Sequence, residues 1–210
     1  MYERASRTVE ALNAPKTFIR GQALLRTRKV TLLAGAIYLA ASVLGIATAG
    51  TASAAAKPAG NTGNGTISAP TVGQRVKTGA YTARLTSANT FEVIDPEGVV
   101  IEAAAATGAA YAGPVGFTIT PGANAFVAGD AFIITVAAGT SKAMLATAAA
   151  TDGSQSPSLV LAYDADATAG DVEAIAYESG DFVKEQLIFG AGLTADSTRE
   201  QLRRLNITMG

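Results

Sequence analysis

The residues from Val30 to Ala56 contain no charged side chain, and they follow directly on the basic pair Arg28-Lys29. An uncharged stretch of this length is long enough to cross a membrane as a helix. Glycine and hydroxyl side chains interrupt it, however, and two short apolar runs stand out, at 30–33 and at 43–46. Short valine- and leucine-rich runs separated by turn residues are typical of strands. The pattern therefore predicts two strands with a turn between them.

A secreted or membrane-anchored protein is the alternative for the same stretch. Basic residues precede it, and Ala52-Ser53-Ala54 has the small-residue spacing of a signal-peptide cleavage site. The basic region is longer than an ordinary signal peptide requires, and it includes Glu3 and Glu10. We therefore favour the two strands. The alternative is a secreted or membrane-anchored β-sandwich surface protein, such as an adhesin, with an N-terminal signal segment.

The chain has no histidine, cysteine or tryptophan. Histidine is the usual general base and the commonest metal ligand of proteins. Its absence excludes Ser-His-Asp and Cys-His catalytic arrangements and the ordinary zinc sites. Aromatic residues make up 6% of the chain, which is too few to suit a deep ligand pocket lined by large rings. We therefore expect a structural protein that is not an enzyme, with no cofactor and no metal site.

The two ends of the chain differ in charge. Residues 1–29 contain seven Lys or Arg and two Asp or Glu, whereas residues 143–210 contain four basic and ten acidic residues. The basic residues of the first segment are spread out, with Tyr2 and Phe18 as its aromatic side chains. Nucleic-acid-binding segments usually cluster their basic residues and add aromatic rings for stacking. We therefore predict an extended arm at 1–29 that contacts protein, and neither a nucleic acid nor a membrane as partner.

The middle of the chain predicts a small β-sandwich. Residues 49–65 are rich in Ala, Gly, Thr, Ser and Asn, which is typical of a linker. From residue 66 to residue 142, apolar runs of strand length alternate with turn signals such as Asp95-Pro-Glu-Gly98. Several short strands at this spacing indicate a sandwich, with strands predicted at 80–85, 90–94, 99–103, 116–120 and 131–137.

The last part of the chain predicts strands followed by a helix. Residues 159–163 and 172–177 are predicted strands on either side of an acidic turn, and a further strand is predicted near 186–189. Ser197 and Glu200 then have capping-box spacing, and leucines continue at helical intervals. A short C-terminal helix is therefore expected.

Two polar segments resemble ligand-binding loops. Asp164 to Glu173 resembles a calcium loop, but Ala169 and Ile175 stand where an EF-hand needs glycine and a bidentate glutamate. Residues 60–65 are glycine-rich but lack the Lys-Ser/Thr of a phosphate-binding loop. The first segment is therefore predicted to be a solvated turn and the second a flexible linker.

Two separated segments carry a more specific pattern. The first is Val30-Thr-Leu-Leu-Ala-Gly35 with Leu39-Ala-Ala-Ser-Val-Leu-Gly45. The second is Ala149-Ala-Thr-Asp-Gly-Ser-Gln155, then Val160-Leu-Ala-Tyr-Asp-Ala-Asp-Ala-Thr-Ala-Gly-Asp171, and it ends on Leu193-Thr194 and Leu205-Asn-Ile207. Together they resemble the lambda-type phage head decoration proteins, also called capsid cement proteins. The A-T-D-G-S-Q and D-A-D-A-T-A-G-D runs are the specific part of a resemblance that covers residues 17–48 and 146–208.

The chain departs from the family pattern in places. Ala41 stands where the family often has a turn glycine, and Ile46 where a polar residue is common. Residues 57–142 have no counterpart in the shortest members. The predicted fold is therefore mainly β (α+β): a small β-rich decoration-protein fold with a short C-terminal helix, an extended N-terminal arm and an inserted β-sandwich-like domain. The predicted domains are the arm at 1–29, the decoration-protein core at 30–56 and 143–210, and the insertion at 57–142.

The resemblance implies a homotrimer on the outer surface of a phage capsid, where it stabilises the shell of the virion. It implies the major capsid protein of an HK97-type shell as partner, contacted by the N-terminal arm. An extended arm can add a strand to an exposed sheet edge, and basic side chains favour encounter with an acidic surface. The residues expected to make this contact are Phe18, Ile19, Arg20, Leu24, Leu25, Arg26, Arg28 and Lys29.

Overall fold

The structure is a computed structural model that describes residues 18–21 and 24–210. Residues 1–17 and 22–23 of the predicted arm lie outside the described residues. The fold is mainly β with one short α-helix near the C-terminus, which confirms the predicted fold class.

Strands form along almost the whole described chain. The first are β1 (Arg26–Leu32), β2 (Ile37–Tyr38), β3 (Val43–Ile46), β4 (Ala49–Ala56), β5 (Thr66–Ile67) and β6 (Thr71–Val72). The next are β7 (Gly79–Leu85), β8 (Thr90–Ile94), β9 (Val100–Ala106), β10 (Ala110–Ala112), β11 (Val115–Thr120) and β12 (Ala131–Ala138). The last are β13 (Ala143–Leu145), β14 (Pro157–Leu161), β15 (Ala165–Asp166), β16 (Val172–Phe182) and β17 (Ile207–Met209). A 3-10 turn (Lys184–Gln186) and the helix α1 (Ala195–Arg203) lie between β16 and β17.

Five strands close into a ring. The order around it is β1, β13, β3, β14 and β16, and β16 pairs in turn with β1. β1 and β16 are antiparallel, from Arg26 opposite Ser179 to Leu32 opposite Val172. β17 adds in parallel to the far end of β16. We call the described residues of 18–47 and 140–210 the ring unit.

Alternating side chains give the ring unit two hydrophobic clusters, because successive residues of a strand point to opposite faces. In β14, Leu159 and Leu161 belong to the cluster inside the ring, whereas Val160 belongs to a cluster on its outer face. All three are at most 2% exposed. The inner cluster also contains Leu32, Tyr38, Leu44, Ala143, Ala167 and Ala176. The outer cluster contains Phe18, Ala40, Ala41, Val43, Phe182, Leu187, Leu202, Ile207 and Met209.

Helix α1 begins one turn before the predicted capping box. Its N-cap is Thr194, whose hydroxyl accepts a hydrogen bond from the backbone N–H of Ser197, while the Ser197 hydroxyl accepts one from the N–H of Thr194. Ser197 is therefore the third helical residue and not the cap. Leu202, fully buried, packs α1 onto the outer cluster of the ring unit.

The inserted unit consists of two sheets that share one core. A five-stranded sheet has the order β4-β12-β7-β8-β9, and a smaller sheet pairs β11 with β10, β5 and β6. Tyr81 and Phe91 of the first sheet and Phe117 of the second belong to the same buried cluster. Two sheets facing each other across such a core have the arrangement of a β-sandwich. The strands predicted between residues 80 and 137 form β7, β8, β9, β11 and β12.

The inserted unit begins earlier than predicted. Residues 49–65 were expected to be a linker, but β4 pairs along β12, with Ala52 opposite Val136 and Ala56 opposite Phe132. Residues 49–56 therefore belong to the inserted sheet and not to the ring unit, and the boundary lies near Thr48. The strand was missed because its side chains are small. Alternation between Ala, Gly and Ser gives almost no periodic hydrophobic signal.

Asp130 fixes the rest of the predicted linker. Its side chain is fully buried and accepts hydrogen bonds from the backbone N–H groups of Thr62 at 2.8 Å, Gly63 at 3.0 Å and Val127 at 3.1 Å. Burial would raise the pKa of this carboxyl. These donors and the nearby Lys57 ammonium outweigh burial and lower the pKa of Asp130 to about 2. The loop around Thr62 is thus tied to the sandwich instead of acting as a flexible linker.

The strand predicted near 186–189 does not form. The chain makes the 3-10 turn there, and Ile188 makes a single bridge to Ser42. The apolar residues are explained by burial, since Leu187 packs into the outer cluster. The last strand is instead β17, whose three residues are too few to give a strand pattern in the sequence.

The uncharged stretch from Val30 to Ala56 forms strands in both units. It completes β1 and forms β2, β3 and β4, and its residues Leu32, Val43 and Leu44 are fully buried. The stretch is therefore strand-forming and partly buried, as the two-strand interpretation predicted. Within the described part of the chain, no helix combines the length and the apolar character that crossing a membrane requires.

The A-T-D-G-S-Q turn packs against β3. A Cβ atom added at Gly45 would lie 1.9 Å from the backbone oxygen of Ser154, so β3 and this turn approach too closely for any side chain. The Asp152 backbone oxygen accepts hydrogen bonds from the N–H groups of Thr48 and Ala49. Ala41, one of the positions where the sequence departs from the pattern it resembles, has a φ of 67°, in the left-handed region that favours glycine.

Replacing Gly45 by alanine should destabilise the ring unit. The methyl group would overlap the backbone of the A-T-D-G-S-Q turn, and we expect a loss of roughly 2–4 kcal/mol in the free energy of unfolding. Denaturant unfolding of Gly45→Ala measures it. Gly170→Ala is the matched control, because a Cβ there meets open space. Its stability should stay within about 0.5 kcal/mol of the wild type. Equal stabilities for the two variants would contradict the close approach.

Replacing Asp130 by asparagine should destabilise the inserted unit by about 2–4 kcal/mol near neutral pH, because its buried N–H donors lose their carboxylate acceptor. The folded-state pKa of about 2 lies below the ordinary value of 3.8. The carboxylate's contribution is therefore complete above about pH 4 and is lost as the pH falls toward 2. Unfolding measured across this range should show the wild type approaching Asp130→Asn at low pH. The exposed Asp196→Asn is the control, and a difference independent of pH would argue against this role.

Candidate functional site

The structure places two of the predicted arm residues in the outer cluster. Phe18 is 4% exposed, and its ring centroid lies 6.1 Å from those of both Tyr177 and Phe182. Ile19 bridges to Phe182 and also packs against this cluster. The predicted partner contact of Phe18 is therefore corrected, because its side chain is enclosed by its own chain. The sequence around Phe18 gave no indication of whether its side chain would pack on a partner or on its own chain.

The end of the predicted arm is also part of the ring. Residues 26–29 were expected to be an extended arm, but they open β1 and pair with β16. Charged side chains at Arg26, Arg28 and Lys29 concealed a strand whose Val30 and Leu32 reach the inner cluster. The arm therefore has to end before Arg26.

The remaining predicted residues form an exposed basic surface. Arg20, Arg26, Arg28 and Lys29 are exposed, and Leu24 and Leu25 are 74% and 39% exposed. Lys29 makes an ion pair with Glu173 across the strand pair. The side chains of this surface, unlike that of Phe18, can be reached by another protein.

Among the residues that the structure describes, one edge of β1 has no partner strand over most of its length. The pairing with β16 runs from Arg26 to Leu32, whereas β13 meets the other edge at Leu32, opposite Ala143. From Arg26 to Thr31, β16 is the one ladder partner of β1 among residues that the structure describes. Alternate residues of such a strand direct their N–H and C=O groups away from the paired neighbour. This edge can accept an additional strand.

A cleft of about 1040 Å³ opens beside the free edge, at one end of the ring. Arg26 and Arg28 of β1 line it, as do Arg203, Arg204 and Leu205 at the C-terminal end of α1. β16 adds Glu178 and Ser179, and further lining residues are Leu24, Ile46, Ser158, Leu159, Gly180, Asn206 and Thr208. We call this site the arginine cleft. Its lining residues come from the start of the ring unit and from the C-terminal end of α1.

The arginine cleft is strongly positive. It contains four arginines, and Glu178 is the one acidic residue among the described lining residues. Arg203 makes an ion pair with Glu200 on the same helix, whereas Arg26, Arg28 and Arg204 make none within the described chain. Clustered guanidinium groups of this kind suit anionic groups, above all carboxylates and phosphates.

Arg203 and Arg204 were not among the residues predicted from the sequence. They lie in the acidic part of the chain, far along the sequence from Arg26, and the packing of α1 beside β17 brings them to the same cleft. The available signal was a pair of adjacent arginines at the end of a helix in an acidic segment. That signal indicates an exposed cationic helix end, but it does not indicate that this end lies beside β1.

The acidic turn between β14 and β16 has a structural role. Asp164 accepts a hydrogen bond from the N–H of Ala40 at 2.6 Å, and Asp171 accepts one from Ala34 at 2.9 Å. The Lys142 ammonium, 2.5 Å from Asp171, lowers the pKa of that carboxyl, and the Ala34 N–H adds to the effect. These aspartates hold the loop that carries β2. Across 18–21 and 24–210, no three potential ligand side chains converge as a metal site requires.

Solved structures give only a distant similarity. Two crystal structures of FlgL from Xanthomonas campestris, in space groups H3 and C2, are 23% and 24% identical to this chain. The alignments cover 49% of this chain and 34% and 33% of theirs, with TM-scores of 0.35 and 0.34. The match thus spans about a third of the length of FlgL, and at these TM-scores it carries no argument about fold or function. No curated protein shows a significant match to the sequence.

A protein-family model gives a much more extensive match. The model described as bacteriophage lambda head decoration protein D matches residues 8–208, nearly the whole chain. The match spans the ring unit and the inserted unit alike, and it includes both segments of the motif pattern. The chain belongs to the family of the bacteriophage lambda head decoration protein D.

Proposed function

We propose that this protein decorates the outer surface of a phage head as a homotrimer and stabilises the shell by binding its major capsid protein, of the HK97 type. The family match over residues 8–208 carries the proposal. The role is one of binding, without catalysis, cofactor, nucleic acid or membrane. The lack of histidine and cysteine supports it, because most hydrolytic and metal-dependent mechanisms use these residues.

The exposed basic surface and the free edge of β1 support a contact with the shell. Main-chain pairing along Arg26–Thr31 would give affinity, and basic side chains would favour encounter with an acidic surface. A trimer carries three such sites. Once one site is bound, the others act at a high effective concentration, so modest single contacts can hold several shell subunits together.

An exposed apolar surface on the ring unit supports self-association. Ile37, Leu39, Tyr163 and Ile175 are 61%, 43%, 67% and 47% exposed. Backbone pairing brings their segments together, since β2 pairs with β15 and the Ala162 N–H bonds to the Ile175 oxygen. Large apolar side chains that are exposed on neighbouring segments are typical of an interface. We assign this apolar surface to the trimer contact.

Introducing a charge into the apolar surface should weaken the trimer. Ile175→Asp would place a carboxylate in the contact, so the protein should shift from trimer toward monomer in sedimentation-velocity experiments. Val100→Asp is the matched control, because Val100 is also 47% exposed but lies in the inserted unit. It should leave the trimer intact. A monomeric wild type would refute self-association. If Ile175→Asp remained a trimer, the apolar surface would not be the trimer contact.

Removing residues 1–17 should weaken binding to heads while preserving the trimer. Every described residue is retained in this variant, whereas removal of 1–29 would also delete Phe18 from the outer cluster and half of β1. Co-sedimentation with heads that lack decoration protein measures binding, and sedimentation velocity checks the trimer. Unchanged co-sedimentation would show that the first part of the arm is not needed. An intact trimer that loses binding is the expected result.

A further inference from the structure

We propose that the arginine cleft binds an extended acidic segment of the shell protein, with carboxylates at alternate positions. This inference rests on the proposed function and specifies the chemistry of the partner. It also adds Arg203 and Arg204, which lie outside the N-terminal arm, to the docking surface.

The charge of the cleft points to carboxylate groups. Four arginines face one lining acid, Glu178, and three of them have no ion-pair partner in the described chain. A guanidinium group donates two parallel hydrogen bonds to a carboxylate, which gives direction as well as attraction. Several carboxylates would be needed to balance the cleft. A segment with one acidic residue would leave most of the arginines uncompensated.

The free edge of β1 sets the spacing of those carboxylates. Arg26 and Arg28 are two residues apart on this strand and both line the cleft. Two residues of a strand span about 7 Å. A strand added to this edge would present its own side chains on one face at the same interval. Acidic residues two apart would therefore lie opposite Arg26 and Arg28, while Arg203 and Arg204 approach from α1.

The lining also distinguishes a peptide from a nucleic acid. No described lining residue is aromatic, so the cleft offers no ring on which a base could stack. Leu24 and Leu205 are 74% and 41% exposed beside the arginines and suit apolar side chains between the acidic ones. A strand edge, finally, pairs with the main chain of a peptide, which a nucleic acid does not have. These three features favour a peptide segment.

Charge reversal in the cleft tests the inference. We would combine Arg28→Glu on β1 with Arg204→Glu at the C-terminal end of α1, and measure co-sedimentation with heads that lack decoration protein. Binding should weaken by about tenfold or more, because attraction becomes repulsion at two positions. Arg75→Glu is the matched control, since Arg75 is exposed and lies in the inserted unit. It should bind like the wild type.

A second variant tests the cleft without reversing its charge, so its result does not depend on whether the double variant folds. It also identifies the partner segment. Arg28→Lys keeps the charge and the fold but offers an amine that a carbodiimide can couple to a carboxylate in direct contact. Mass spectrometry of the product should show a link from position 28 to an acidic residue of the shell protein, with a second acid two positions away. Links to scattered, isolated acids would contradict the spacing argument.

The outcomes separate the inference from the proposed function. If the wild type does not sediment with heads, the decoration role fails. If the wild type and the Arg28→Glu/Arg204→Glu variant bind heads equally, the role stands and the cleft proposal is overturned. A wild type that binds a duplex DNA oligonucleotide as tightly as heads, and loses both through the double reversal, would make the cleft a nucleic-acid site and overturn the acidic peptide.

Discussion

The pairing of β1 with β16 on one edge and with β13 on the other closes the ring, and the rest of the ring unit depends on this closure. It buries Leu32 inside and aligns the start of the described chain against its long penultimate strand. Because β13 meets β1 at Leu32 alone, the closure is limited to one end of the strand. The same strand therefore completes the core at one end and leaves an exposed edge with arginines at the other.

Much of the fold could be predicted because large apolar residues alternate clearly in its strands. β7, β8, β11 and β12 follow the predicted ranges closely, and the turn at Asp95–Gly98 is closed by the Gly98 N–H bonding to the Asp95 oxygen. Where the side chains of a strand are small or charged, hydrophobic alternation did not predict the strand. β4 is built of alanine, glycine, serine and threonine, and β1 begins with three basic residues in four, so neither gave a periodic signal.

The candidate site could be predicted only in part, because its residues come from distant parts of the sequence. Arg26 and Arg28 were found from local composition, since a basic segment is visible in the sequence. Arg203 and Arg204 reach the same cleft through the packing of α1 beside β17, which no local pattern records. Phe18 shows the opposite error. It was assigned to a partner because of its basic neighbours, whereas tertiary packing encloses it with Tyr177 and Phe182.

The chain passes from the ring unit to the inserted unit near Thr48 and returns near Gly139, and these two segments lie side by side. The Gly139 N–H bonds to the Thr48 oxygen at 2.9 Å, and the Ser141 N–H bonds to the Ala47 oxygen at 2.8 Å. The inserted unit therefore leaves and rejoins the ring unit through two adjacent, hydrogen-bonded chain segments. Any foreign domain whose own termini are close together could be grafted at this point without stretching the ring, because a long excursion between adjacent ends costs little. These paired ends let the ring unit carry a second domain without a change in its own strand pairing.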